Sequence, residues 1–214
     1  MVKRKKEKLL KTKKKFDRIL SLDMGSKNLA FGVLANQKLE ALGFIENTVH
    51  NLIDPYFLPN LKAFGKEFES LLQKYKPDVV LMERFQNRGM FKGNSSEYLN
   101  IMIGIISAIC LRKKLYVYLT TASQWKLQFS RQFPQWASVI LVKRKGKTVE
   151  KKLTPLDNLY EELKPFPNHM IDAHLQGFYL ANLWDTNQYR TWKKKPLVQY
   201  AKKWIKENGS KAKR

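Results

Sequence analysis

The sequence predicts an α/β domain, and three observations carry that reading. The stretch Arg18 to Asn36, RILSLDMGSKNLAFGVLAN, reads as strand, tight turn, strand: an apolar run broken only by Ser21 meets Asp23, and a second run spans Leu29 to Leu34. Further runs of strand length, Val79 to Met82 and Tyr116 to Thr120, alternate with stretches whose apolar residues recur three and four apart, the helical spacing. Two of the strands deliver a carboxylate at their C-terminal end, Asp23 and Glu83, and in open α/β sheets binding sites collect at those ends.

Composition narrows the partners. The 214 residues suit one domain with tails. Forty-one Lys and Arg against 18 Asp and Glu give a net charge of +23, which favours a polyanion: nucleic acid first, an anionic membrane surface second. A single cysteine, Cys110, excludes an internal disulfide and fits a reducing, intracellular compartment. No secretory signal is expected, because the basic start never reaches an apolar core. The most apolar stretch, Tyr98 to Leu111, is too short to span a bilayer.

Taken in order, the chain opens on a basic arm (1–17) with nine basic residues between Lys3 and Lys15 against Glu7. Charge this dense repels itself, so the arm is expected to be disordered when free and to tether the protein to phosphates. It lacks the Arg and Ser bias of a mitochondrial transit peptide, which favours the cytoplasm of a bacterium or a virus-infected cell. Within the first hairpin, Gly25 serves the tight turn Met24 to Lys27. Lys38 to Glu46 gives a third strand, 47–59 a loop marked by Pro55 and Pro59, and Asn60 to Tyr75 a helix with Leu61, Phe64, Phe68, Leu71 and Leu72 on one face.

Beyond the Val79 strand comes a loop, 84–96. A helix from Ser95 or Ser96 to about Lys113 follows, apolar all round and so in need of cover on more than one side. Its Gly104, Ser107 and Ala108 permit close approach of another element or a second subunit. After the Tyr116 strand, Ala122 to Phe133 reads as a helix striped with Trp125, Phe129 and Phe133. Residues 134–167 read as a basic insertion, mainly loop or ribbon over a polyanion groove, with a short helix from Thr154 or Pro155 to Leu163. Asn168 caps the last core helix. A tail from 185 to 214 carries nine basic residues from Lys193 onward against Glu207, and a short amphipathic helix around Leu197 to Ile205.

The chemistry-bearing residues each admit two readings. Asp23 is either a turn residue capping Gly25 or Lys27, or a carboxylate among buried side chains that needs a cation. Glu83 is an exposed strand end or a second such carboxylate. His169 and Asp172 lie three apart and share a helix face, as metal ligands or as polar surface with a dipole-favouring acid. His174 lies two beyond Asp172 and faces elsewhere. For nucleic acid, the expected contacts are Lys27 in the first turn, Arg84, Phe85, Arg88, Phe91 and Lys92 in the following loop, Lys126 and Arg131 on the Ala122 helix, and Lys143, Arg144 and Lys145 in the insertion. Bases interleaved with aromatics suit phosphate contact with base stacking.

Three segments together carry a resemblance. LSLDMGSKNLAFGVL, VVLMERFQNR and NHMIDAHLQGFYLA resemble the motifs of RuvC-type Holliday junction resolvases of the RNase H-like superfamily, particularly mitochondrial, poxviral and phage-like forms. The likeness covers roughly Arg18 to Leu183; both arms and residues 134–167 fall outside it. It implies an RNase H-like fold with a five-stranded mixed sheet, order 3-2-1-4-5, flanked by helices, over residues 18–184. It also implies a homodimer that acts on four-way DNA junctions in recombination and repair. The family's acidic cluster falls on Asp23, Glu83 and Asp172. The position three before the last acid, an acid in many members, is His169. The cluster would hold two Mg²⁺ about 4 Å apart, bridged by Asp23, with Mn²⁺ as a substitute because imidazole also suits softer ions. Other substrates of the same superfamily site, such as flaps, forks or RNA–DNA hybrids, stay open, and so does a non-catalytic nucleic-acid-binding role.

Overall fold

A computed structural model describes residues 16–25, 28–46, 55–84, 95–144, 147–183, 189 and 191–208. Strands β1 (Arg18–Met24), β2 (Asn28–Ala35) and β3 (Lys38–Glu46) form an antiparallel meander. Helix α1 (Phe57–Tyr75) leads to β4 (Val79–Glu83), and α2 (Ser95–Arg112) to β5 (Tyr116–Thr120). β4 and β5 run parallel to β1, so the sheet is mixed, in the order β3-β2-β1-β4-β5. Helix α3 (Ala122–Gln132) follows, then a 3-10 turn at Pro134–Trp136 and a separate two-stranded ribbon of β6 (Ser138–Arg144) and β7 (Lys147–Leu153). Helices α4 (Pro155–Leu163), α5 (Asn168–Ala181) and α6 (Lys194–Asn208) complete the chain.

The alternation of strand side chains divides the core in two. Leu20, Leu22, Val80 and Met82 face α1 and α2. Ile19, Val79 and Leu81 face the other way, toward α3, α4, α5 and α6. The same two-residue period carries Ser21 and Asp23 onto the α5 face of β1, and Glu83 onto the α5 face of β4. α5 lies close against the sheet because glycine removes the side chain at two contacts. A Cβ at Gly32 would stand 3.2 Å from the Ala173 backbone, and one at Gly177 would stand 3.0 Å from both Leu34 Cδ1 and Ser21 Oγ. Ser21 Oγ uses the closeness, donating to the Ala173 carbonyl at 2.5 Å.

Several expectations need correction. α1 begins three residues early, with Pro59 as its third residue; the first N–H groups of a helix have no internal partner, so proline there forfeits no bond. Asn168 is the first residue of α5, with Pro167 in the cap position and no side-chain cap. Asp172 consequently lies beyond the first turn. Of loop and ribbon, residues 138–144 and 147–153 form the strands of a ribbon. Leu156, Leu159 and Leu163 of α4 are buried in the core. Within one chain α2 is covered on one side, which leaves the face expected to meet another element or a second subunit open: Met102, Ile106 and Cys110 are buried, whereas Leu111 is 79% exposed and a Cβ at Gly104 would meet nothing within 4 Å. The tail helix is longer than expected and docks through Leu197 and Ala201. The arm, residues 47–54 and the loop 85–94 lie outside the described residues.

Candidate active site

β1 and β4 pair in parallel with Leu22 opposite Met82, so Asp23 and Glu83 stand one residue beyond that pair on neighbouring strands. Parallel strands lie about 4.8 Å apart, which brings the two acids side by side. α5 begins at this end of the sheet and runs along β1 and β2. His169 Nδ1 lies 2.5 Å from Asp23 Oδ2. Asp23 and Asp172 are buried, Glu83 is half-buried, and the His169 side chain is exposed.

Each acid has fixed partners. Trp125 Nε1 donates to Glu83 Oε2 at 2.9 Å, and Gln176 Nε2 donates to the same oxygen at 3.1 Å. Lys126 Nζ donates to Asp172 Oδ2 at 2.9 Å, and the Tyr160 hydroxyl donates to Asp172 Oδ1. Lys126, expected at DNA phosphates, is thus turned into the acidic site. Arg84, Arg131 and Lys143 are exposed. Lys27, Phe85, Arg88, Phe91, Lys92 and Lys145 lie outside the described residues, as does the side chain of Arg144. His174 is buried two positions beyond Asp172, where its Nε2 accepts from Trp192 Nε1 at 3.1 Å.

The electrostatics are those of an acidic cluster short of positive charge. Burial first, then the Asp23 charge, pushes Asp172 up to about 7, against the pull of Lys126. Burial also raises Glu83; the Trp125 hydrogen bond opposes this and Asp23 adds to it. The hydrogen bond to Asp23 raises His169, so the ring holds a proton more readily than a free histidine. Burial pulls Lys126 down, but the charge and hydrogen bond of Asp172 outweigh it. Burial, with the adjacent Asp172 charge, keeps Tyr160 protonated and a donor.

Sequence reasoning missed Tyr160, Gln176 and the role of Trp125. Gln176 was legible: with His169 and Asp172 it completes a spacing of three and four on one helix face. Tyr160 reaches the site from α4, and Trp125 lies on a stripe that also serves the core, so neither carries a local mark.

Among solved structures, Thermus thermophilus RuvC in complex with a Holliday junction substrate superposes with a TM-score of 0.54 at 15% identity, covering 79% of this chain and 96% of that one. A second Thermus thermophilus RuvC structure gives 0.52 at 13% identity, over 78% and 93%. The yeast mitochondrial Holliday junction resolvase Ydc2 matches more loosely, at 0.47 and 15% identity over 88% and 84%. No family model matches the chain, and no curated protein matches it by sequence. The chain therefore shares the fold of these RuvC structures, a five-stranded mixed sheet flanked by helices.

Proposed function

We propose that the chain is a divalent-metal-dependent endonuclease that resolves four-way DNA junctions as a homodimer. The observation that supports this most is one constellation: Asp23 and Glu83 on neighbouring parallel strands, met by His169 and Asp172 from a single helix. It sits on a resolvase-like fold in a chain of net charge +23.

The donors suit a hard divalent cation in kind, being three carboxylates and one imidazole within electrostatic reach of each other. Their mutual repulsion is the strain that a cation relieves. They do not form a ready cage: among the described residues no three of His, Cys, Asp and Glu converge on one ion position. Both Asp172 oxygens are occupied, one by Lys126 and one by Tyr160. Asp23, Glu83, Asp172 and His169 would hold Mg²⁺ or Mn²⁺, two ions per site in the two-ion form. Such ions, when bound, supply a water ionised at neutral pH and charge stabilisation of the leaving oxygen.

The chain's own residues do the positioning. Trp125 and Gln176 fix the Glu83 carboxylate from one side. Tyr160 and Lys126 fix Asp172 from both oxygens, and Lys126 keeps further ammonium donors for a phosphate. His169, with Nδ1 2.5 Å from Asp23 Oδ2, orients that carboxylate. Arg84, Arg131 and Lys143 offer exposed charge to the backbone of the DNA. The open face of α2 around Gly104, Ala108 and Leu111 is the surface for the second copy, which would bring a second site to the opposite strand.

The test sets labelled four-way junction, flap, fork and linear duplex side by side with Mg²⁺ and with Mn²⁺. The junction should be cut in preference. Asp23→Asn should abolish cutting while junction affinity stays within about twofold, because phosphate contacts come from Lys and Arg. Full cleavage by this variant removes Asp23 from the site, and equal cutting of all substrates removes the junction assignment. Sedimentation of wild type against Leu111→Glu tests the dimer.

A further inference from the structure

The β6–β7 ribbon has both faces open. Of its described side chains only Leu153 is buried and Val142 half-buried; the rest are exposed or nearly so. A soluble surface seldom leaves large aliphatic side chains uncovered in a cluster. Yet of the ten exposed large hydrophobic side chains among the described residues, four lie here: Val139 at 54%, Ile140 at 39%, Leu141 at 71% and Val149 at 37%. The segment 138–153 also holds six basic residues against Glu150, a net charge of +5. The register sorts them. Val139, Leu141 and Lys143 line one face of β6, with Lys152 directly across from Val139 and Glu150 across from Leu141; Ile140 and Val149 lie on the opposite face. The finger thus carries exposed aliphatic side chains on both faces, and on the Val139 face two lysines outnumber the one acid.

We infer that this ribbon is a wedge for branched DNA, with Val139 and Leu141 packing on base faces that come unstacked at the branch point while Lys143 and Lys152 hold the flanking phosphates. The charge decides the occupant. Two ribbons at +5 each repel, which disfavours a second copy of the chain on this surface; a polyanion is attracted. The aliphatic stripe then decides which form of the polyanion. An intact duplex hides its base faces in the stack, so Val139 and Leu141 have little to bury there, whereas a branch point exposes those faces. Aliphatic wedges that enter between base steps are a known way for proteins to hold distorted DNA. Dimensions agree: seven residues per strand span about 23 Å, long enough for the ribbon to reach past its base on the fold.

The proposal rests on the reading of the chain as a branched-DNA nuclease and deepens it, assigning structure selectivity to an element apart from the acidic site. Binding is measured on a four-way junction carrying 2-aminopurine at the crossover and on a linear duplex of the same sequence. Val139→Ser with Leu141→Ser should leave duplex affinity within about twofold and lower junction affinity about tenfold, with loss of the 2-aminopurine signal of unstacking. Lys143→Gln with Lys152→Gln should weaken both DNAs in parallel and reduce the salt slope by about 2. A shortened chain with Ser138 joined to Leu153 through two glycines should repeat the first result if the serine pair perturbs folding. Junction binding and 2-aminopurine signal unchanged in the serine pair, or equal losses on both DNAs, overturns the wedge. Loss of a wild-type dimer in the same variant also overturns it, by assigning the stripe to a second copy. The nuclease reading fails by a separate result, wild type cutting none of the branched substrates.

Discussion

Lys126 Nζ lies 2.9 Å from Asp172 Oδ2, so the helix that follows β5 supplies the counter-charge for the helix that completes the site. The ion pair opposes two stronger influences on Asp172, its burial and the charge of Asp23. The site is therefore poised: its last acid holds a proton well above the ordinary carboxylate range, and its state depends on which cation is near.

Lys126→Gln removes that cation and should move Asp172 further up. Ligation of metal needs the ionised acid, so the acid limb of the cleavage profile should shift to higher pH by about one unit. Rate against pH for wild type and variant measures it. A uniform drop at every pH would instead make Lys126 a pure phosphate contact.

The same raised acid predicts an unusual pH dependence of stability without metal. Asp172 holds its proton more tightly folded than unfolded, so its contribution declines as pH rises from about 4 to about 7. His169 is also raised; its contribution is full below about 6.5 and fades as pH rises through its folded value. Both act in one direction, and the melting temperature should fall by about 5 °C between pH 5 and pH 8. Asp172→Asn should flatten most of that slope. Mn²⁺ at pH 8 should raise the wild-type melting temperature and leave Asp23→Asn nearly unmoved. A flat wild-type curve would show that the cluster is already neutralised by other means.

His174 belongs to the core. Burial pulls its pKa down to about 3, so the ring stays neutral and accepts from Trp192. His174→Ala should cost about 2–4 kcal/mol, from a cavity and an unpaired indole N–H. Denaturant unfolding reads the loss, and cleavage chemistry below the melting transition should survive. Intact stability with lost activity would place His174 in the chemistry.

Gly177→Ala pushes α5 away from β1 and β2, since the new methyl would meet Leu34 and Ser21 at 3.0 Å. The expected cost is about 1–3 kcal/mol. Cleavage should fall more than stability accounts for, because the displaced helix carries His169 and Asp172. Activity at the wild-type level in the folded variant would show that the site tolerates the shift.

The strands were legible because buried strands read as short apolar runs, and Asp23 and Glu83 because each ends such a run. Their common face was also implicit, through the two-residue period that joins Ser21 to Asp23 and Leu81 to Glu83. The partners of the acids were not. Trp125 looked like core and is core, yet its indole N–H reaches Glu83; one side chain serves both purposes and periodicity reports only the first. Tyr160 meets Asp172 only through the packing of α4 on α5, a contact between helices that no local pattern encodes. The start of α1 was misplaced because proline was read as a breaker, where its effect depends on position in the first turn.

The contact of His169 with Asp23 joins residues 146 positions apart. At about 5–20 residues per second, a ribosome needs roughly 7–30 s to travel that far. Throughout that interval Asp23 stands at the end of the β1–β2–β3 meander with no α5 to meet it, so the acidic cluster is assembled only once residue 172 has emerged.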